Sequence, residues 1–145
     1  MVKAKFRYCL FQLIFDPSVD LPNSSVTSST IYGAVIAAIK SVFGEYGLGQ
    51  CKHLLKVKVF EDELGIVVIR VLDAHLQTLI TSTPFVRQIS RIPAILKCLF
   101  IGGSIRACAK ATLNYHRNNL IKDLPKASSL DSTIIMNTLK SFYLA

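Results

Sequence analysis

The order in which the apolar spacing changes along this chain limits its fold more than any other feature of the sequence. Segments with a period of two, typical of strands, alternate with segments of period 3.6, typical of helices. Their order is strand, helix, strand, strand, helix, strand. This is the order of a split βαβ unit, so we expect an α+β fold with a ferredoxin-like or RNA-recognition-like antiparallel sheet and additional C-terminal helices.

The first half of the chain supplies a strand, a helix and a second strand. The first strand is predicted at Phe6–Phe15, an aromatic and β-branched run that ends before Pro17. A helix is expected to begin at an N-cap of Ser28 or Ser29 and to end at the glycines from Gly44 onward. One face of this helix is predicted to be apolar: Ile31, Val35, Ala38, Ile39, Val42 and Tyr46.

The second strand is predicted at 51–60, where side chains alternate between lysines and apolar residues. Lys52, Lys56 and Lys58 are expected on one side, and Cys51, His53, Leu55, Val57 and Val59 on the other. After a turn at 61–65, Ile66–Val71 is apolar at nearly every position, as expected for a central strand with both faces buried.

The second half ends in a strand and two helices. Asp73 is expected to cap a short helix, and a fourth strand is predicted at Ile95–Ile101. A third helix is predicted to open at the glycines 102 and 103 and to run to about Leu120. We therefore expect one domain over residues 1–125 and a polar tail over 126–145 that forms a short last helix.

The charge balance predicts a polyanionic partner. Seventeen Lys and Arg against nine Asp and Glu give a net charge of +8, while 51% of the residues are hydrophobic and 18% are charged. This composition excludes intrinsic disorder, and a positive excess among so few charges favours RNA, DNA or an anionic surface. Every apolar run is interrupted before the about 20 residues that a membrane span needs, so no membrane insertion is expected.

Residues for catalysis or metal binding do not come together in the sequence. His53, His75 and His116 lie in different predicted elements, and the acids at 61–63 are adjacent in a turn, as solvated loops often are. The cysteines have no zinc-site spacing and are expected to be reduced core residues: Cys9, Cys51, Cys98 and Cys108. We therefore predict no catalytic residue, no metal ligand and no cofactor bound by the protein.

The third strand lacks the aromatic residues with which RNA-recognition modules stack bases. Its sequence, Leu64–Val71, is almost wholly aliphatic. We therefore expect a sheet covered on both faces, by the chain's own third helix, by a partner protein or by both.

The third helix carries the clearest candidate binding site. Gly102, Gly103 and Ser104 form its predicted start, where exposed N–H groups can face an anion. Beyond them Arg106, Lys110 and Arg117 fall within roughly 40° of one another on a helix. Such a stripe fits a phosphate backbone, because Arg grips phosphates bidentately and Lys adds a point charge. An ordinary solvated helix face is the alternative.

Two further groups of cations are candidates for RNA contact. Lys3, Lys5 and Arg7 alternate onto one side at the start of the first strand, and protection of a sheet edge explains them equally well. The other group is the lysine side of the second strand. Together these two strands are expected to present cations in register.

At several places the sequence resembles one family, the Pop five protein subunit of ribonuclease P and ribonuclease MRP. The similar segments, in order and at matching spacing, are Met1–Tyr8, Phe43–Cys51, Leu54–Lys58, Gly65–Arg70, Gly102–Cys108 and Tyr115–Leu120. The chain departs from the family in having Leu64 and Ser104 where threonine is usual. The tail after Pro125 also lacks the acidic character of some relatives.

The resemblance implies a non-catalytic subunit that stabilises the catalytic domain of ribonuclease P RNA and of ribonuclease MRP RNA. It implies that the RNA, with Mg²⁺, removes the 5′ leader of precursor tRNA and that rRNA is processed similarly. The implied protein partners are a TIM-barrel subunit of about thirty kilodaltons, a small paralogous subunit and a large scaffolding subunit. The implied location is the nucleus and nucleolus.

The sequence is also compatible with two other functions. The chain could be a protein–protein interaction module of another ribonucleoprotein with no direct RNA contact, in which case the basic residues would not affect RNA affinity. It could also be a small phosphate-processing enzyme, which would turn over substrate with Mg²⁺ and no RNA.

Overall fold

The computed structural model describes residues 5–19 and 26–122, with the backbone alone over 120–122. Its strands are β1 Phe6–Phe15, β2 Lys56–Glu61, β3 Ile66–Leu72, β4 Gln88–Ile89 and β5 Ile92–Gly102. Its α-helices are α1 Ser28–Cys51, α2 Leu76–Ser82 and α3 Ile105–Lys122. The antiparallel sheet has the order β2-β3-β1-β5-β4, which without β4 is that of a split βαβ unit. The predicted fold class is confirmed.

The two faces of the sheet pack against different helices. The side covered by α1 and α2, here called the α1 face, holds the larger apolar cluster, which includes Phe11, Leu13, Ile31, Ile39, Val67, Ile69 and Leu79. The opposite side, here called the α3 face, is covered by α3. Its buried cluster is smaller: Leu10, Val59, Ile66, Val68, Cys108 and Ala109. Because β3 is buried on both faces, the expectation of a sheet covered by the chain's own third helix is confirmed.

Helix α1 begins one residue earlier than predicted and ends later. Thr27 is its N-cap and exchanges hydrogen bonds with Thr30 in a capping box. At Gly44 the backbone leaves helical geometry with φ 74°, and the chain then resumes helix as far as Cys51. The predicted apolar face is correct as far as Ile39 but wrong at Tyr46, which is 81% exposed because it follows the break.

Residues Ser28–Leu54 are long and apolar enough to cross a membrane by length and composition alone. The helical part of this segment has its buried side, which includes Ile31, Val35 and Ile39, in the cluster on the α1 face. The same composition is typical of a core helix.

Strand β2 is shorter than predicted and contains a bulge. Residues 52–54 form a 3₁₀ turn after α1, so Lys52 does not lie on the strand. The pairing of β2 with β3 shifts register between Val57 and Val59, which leaves Lys58 as the extra residue. Val57 therefore packs on the α1 face and Val59 on the α3 face, and the predicted single alternating pattern is wrong.

The hairpin between β2 and β3 depends on Gly65. Its φ is +65°, and a Cβ there would lie 2.6 Å from the carbonyl oxygen of Leu13. The backbone N–H of Leu13 donates to the carbonyl of Gly65 at 2.6 Å. This contact fixes the start of β3 against β1.

Around α2 and the last strands the structure departs from prediction in two places. Asp73 makes no capping hydrogen bond and lies in a 3₁₀ turn before α2. The last strand begins at Ile92, because β4 pairs with it as a short hairpin that the sequence pattern did not reveal. The tail over 126–145, with its predicted last helix, lies outside the described residues.

Candidate nucleic-acid interface

The start of α3 is held in place by local contacts. Ser104 Oγ accepts a hydrogen bond from the backbone N–H of Ala107 at 3.1 Å, as an N-cap does. A Cβ at Gly102 would lie 2.6 Å from the Phe100 ring and 3.2 Å from the Ala107 Cβ, so a side chain there would require the exposed Phe100 ring to move. At Gly103 there is room for a side chain. The predicted helix start is confirmed.

Helix α3 separates an apolar side from a cationic one. Cys108, Ala109 and Thr112 are buried, whereas Arg106, Lys110 and Arg117 are exposed and form no ion pair within the described residues. The predicted layout of the helix is therefore confirmed, while its role in binding stays a prediction.

The cationic stripe points away from the buried side of α3. Ala107 lies close to Gly102 and Phe100 of β5. At about 100° per residue, Arg106 lies about 100° and Lys110 about 60° around the helix from Ala107, and both side chains are exposed.

The α3 face carries one more cation, Arg70, which was not among the candidates predicted from the sequence. Arg70 on β3 lies opposite Lys56 on β2 and opposite Tyr8 on β1. Since its neighbours Ile69 and Val71 pack on the α1 face, Arg70 belongs to the α3 face. Its signal in the sequence was a single charge inside an otherwise aliphatic strand.

The cations of β1 and β2 are not in register, because β3 lies between the two strands. Arg7 pairs with Val71 on the α1 face, and its Nε donates to Asp73 Oδ1 at 2.9 Å. This hydrogen bond, with the Arg7 and Lys5 charges, lowers the pKa of Asp73 below its ordinary value. Lys5 is exposed, and Lys3 lies outside the described residues.

Arg7 nevertheless reaches the turn before α3. A side chain at Gly103 would begin 3.9 Å from Arg7 Nη1. One predicted cation of β1 and the predicted helix start therefore meet at the same end of the sheet. Lys52 is apart from both, in the 3₁₀ turn, where its carbonyl accepts a hydrogen bond from the Tyr32 hydroxyl at 3.3 Å.

The titratable groups of the core are held neutral by burial. Burial raises the pKa of Cys9 to about 12 and that of Cys108 to about 11. Burial also lowers the pKa of His116, whose Nε2 has no hydrogen-bond partner among the described residues.

Cys98 is exposed, so its predicted place in the core is wrong. Within the described ranges no three His, Cys, Asp or Glu side chains could hold a metal ion together.

Comparison with known proteins gives consistent matches. The model of the Rpp14/Pop5 family matches residues 7–113. The Homo sapiens ribonuclease P/MRP protein subunit POP5 is 29% identical over 126 residues, which cover 83% of this chain and 76% of that protein. A probable POP5 subunit of Arabidopsis thaliana is 30% identical over 143 residues, covering 95% and 93%. A chain in the cryo-EM structure of yeast ribonuclease MRP aligns with a TM-score of 0.49 and 13% identity, covering 82% and 96%.

Proposed function

The chain belongs to the Rpp14/Pop5 family, and from this premise we propose that it is a non-catalytic protein subunit of ribonuclease P and ribonuclease MRP. In this role it binds the RNA of both enzymes and stabilises the RNA's catalytic domain. The RNA, with Mg²⁺, then performs the removal of the 5′ leader from precursor tRNA and the corresponding cleavage of rRNA precursors. The assembly acts in the nucleus and nucleolus.

The observation that carries the proposal is the exposed cationic side of α3. Arg106, Lys110 and Arg117 are exposed, and no acid among the described residues pairs with them. Cations on a rigid helix reduce the repulsion between closely packed phosphates without reading any base. A subunit that supports an RNA fold specified by base pairing requires no more than this.

The remaining predicted contacts belong to the same proposal. The turn at 102–104 and Arg7 meet phosphates at one end of the sheet, and Lys56 and Lys58 meet them on β2. Lys5, Lys52 and Lys3 provide further charge around this surface. Mg²⁺ is held through the RNA and not by the protein.

Protein partners are proposed to contact apolar side chains that the fold leaves outside. Tyr46 is 81% exposed, Phe85 57% and Ile95 55%. Aromatic and aliphatic residues of this kind are typical of protein interfaces. The proposed partners are the TIM-barrel subunit, the small paralogous subunit and the large scaffolding subunit. These side chains also favour the alternative function, an interaction module of another ribonucleoprotein without direct RNA contact.

The test is the salt dependence of RNA binding by the full chain, with transcribed ribonuclease P RNA as the probe. The double variant Arg106→Ala with Lys110→Ala should lower the slope of log K against log salt by about 1.5, at about 0.7–0.9 per phosphate contact. The affinity should fall by about tenfold or more. The matched control, Lys40→Ala with Arg91→Ala, removes the same charge from α1 and from the turn beside it.

Three results would count against the proposal. Equal losses in both double variants would mean that net charge alone attracts the RNA. An unchanged slope in the α3 variant would favour the protein-only module. Turnover of precursor tRNA by the purified chain with Mg²⁺ and no RNA subunit would overturn the non-catalytic role.

A further inference from the structure

We propose that Arg70 and Lys56 together form a binding site for an RNA phosphate on the α3 face. This proposal rests on the proposed function and adds contacts from the strands to those from helix α3. The two residues are Cα partners on neighbouring strands, so their side chains leave the sheet on the same side. Lys56 is exposed and Arg70 is half-buried. The site is therefore open to a large ligand from the side of β2.

Arg70 is held ready for a ligand that the described chain does not supply. Its guanidinium carbon lies 4.4 Å from the centre of the Phe6 ring, within the range of a cation–π contact. Its Nε is fully buried and has no hydrogen-bond partner among the described residues. A buried donor without an acceptor is costly, and the guanidinium also has no counter-charge among the described residues, which an anion bound through its other nitrogens would supply.

Nothing in the described fold explains why two cations, Arg70 and Lys56, lie directly opposite each other on neighbouring strands. Like charges directly opposite each other on neighbouring strands destabilise a sheet. No acid forms an ion pair with either residue in the described ranges. Glu61 lies on the same face but at the far end of β2, about 16 Å away at about 3.3 Å per residue. A bound anion would convert the repulsion into attraction.

The position of the pair favours an RNA phosphate over an acidic protein segment. Arg106 and Lys110 are exposed on α3, and α3 covers the same face of the sheet to which Arg70 and Lys56 belong. A polyanion that binds on this face can contact the cations of the helix and those of the strands together. The planar guanidinium suits two phosphate oxygens and the ammonium adds a point charge, a combination typical of backbone contacts.

The experiment measures the affinity and salt slope of the full chain for transcribed ribonuclease P RNA, together with its thermal midpoint without RNA. Arg70→Gln and Lys56→Gln should each reduce affinity about threefold to tenfold and lower the salt slope by up to about 0.9. Because both cations hold one phosphate, the double variant should lose less than the product of the single losses. Arg70→Lys, which keeps the charge but not the planar fork, should recover only part of the affinity.

Thermal unfolding separates a binding role from a structural one. Lys56→Gln relieves the like-charge pair, so the midpoint of the RNA-free chain should rise by about 1–3 °C while RNA binding weakens. A fall in the midpoint would mean that an acid elsewhere in the chain already occupies the site, and it would overturn the proposal. The control Arg91→Gln, at the opposite end of β5 from Gly102, should leave RNA binding unchanged within about twofold.

The outcomes also separate this site from the function on which it rests. If the α3 double variant loses RNA affinity and Arg70→Gln and Lys56→Gln do not, the proposed function stands and this site is rejected. If the two glutamine variants bind RNA normally but no longer bind an acidic protein subunit, the ligand is a protein. If the unaltered chain does not bind the RNA, both proposals fail.

Discussion

The two faces of the sheet use their charged residues in different ways. On the α1 face Arg7 is paired with Asp73, and the apolar cluster beneath α1 and α2 is the larger of the two. On the α3 face Arg70 and Lys56 have no acidic partner in the described chain, and only a small cluster holds the helix. The comparison indicates that one face provides most of the stability, while the other is left electrostatically incomplete and available for an anion.

The largest difference between the faces should appear when one buried side chain is removed from each. Phe11 and Leu10 are adjacent and fully buried, but they belong to the α1 and α3 clusters respectively. We expect Phe11→Ala to lower the free energy of unfolding by about 4 kcal/mol and Leu10→Ala by about 3 kcal/mol, as measured by urea denaturation. Leu113→Ala, at an exposed position, should cost below about 1 kcal/mol. A larger loss of unfolding free energy for Leu10→Ala than for Phe11→Ala would mean that the α3 face contributes more to stability than the α1 face.

Local opening should distinguish the two faces next. Cys9 belongs to the α1 cluster and Cys108 to the α3 cluster, and both are fully buried. Their raised pKa values keep both thiols protonated until the structure opens around them. In a chain carrying Cys51→Ala and Cys98→Ala, Cys108 should react with a maleimide about tenfold faster than Cys9, because fewer contacts hold α3. Equal rates would mean that both faces open only on global unfolding.

The smallest expected effect is a difference in pH dependence. Burial lowers the pKa of His116 on α3, so stability from its neutral form should decline as pH falls below its ordinary value of 6.5. The pKa of Asp73 is lowered by Arg7, so that ion pair should lose its effect only as pH falls below about 3.8. Thermal midpoints from pH 8 to about 2 should show both declines, the first absent in His116→Leu and the second smaller in Asp73→Asn, because the pKa of Asp16 is also lowered. A first step that persists in His116→Leu would exclude this histidine as its cause.

Most of the fold could be predicted because its elements follow simple periods. β1, β3 and the start of α3 depend on local residue type, and a strand that is apolar at nearly every position predicts burial on both faces. The errors lie where tertiary contacts override local pattern. The glycine at 44 breaks α1 without ending it, and the bulge at Lys58 moves Val57 and Val59 to opposite faces.

The candidate site could be predicted only in part. Arg106, Lys110 and Arg117 share one helix, so their common side follows from spacing alone. Arg70 lies opposite Lys56 because of the register between β2 and β3, and Arg7 lies apart from β2 because β3 comes between their strands. Neither register nor strand order can be calculated from the spacing within a single element. This is why Arg70, the partner of Lys56 on the sheet, could not be selected from the sequence.

Lysine modification in the presence and absence of RNA tests the central claim most directly. The full chain is treated with an amine-reactive reagent, alone and with transcribed ribonuclease P RNA, and each site is quantified by mass spectrometry. Binding on the α3 face predicts that Lys56 and Lys110 become protected, while Lys40 on α1 keeps its reactivity. Protection of Lys40 with Lys56 and Lys110 still reactive would contradict the account.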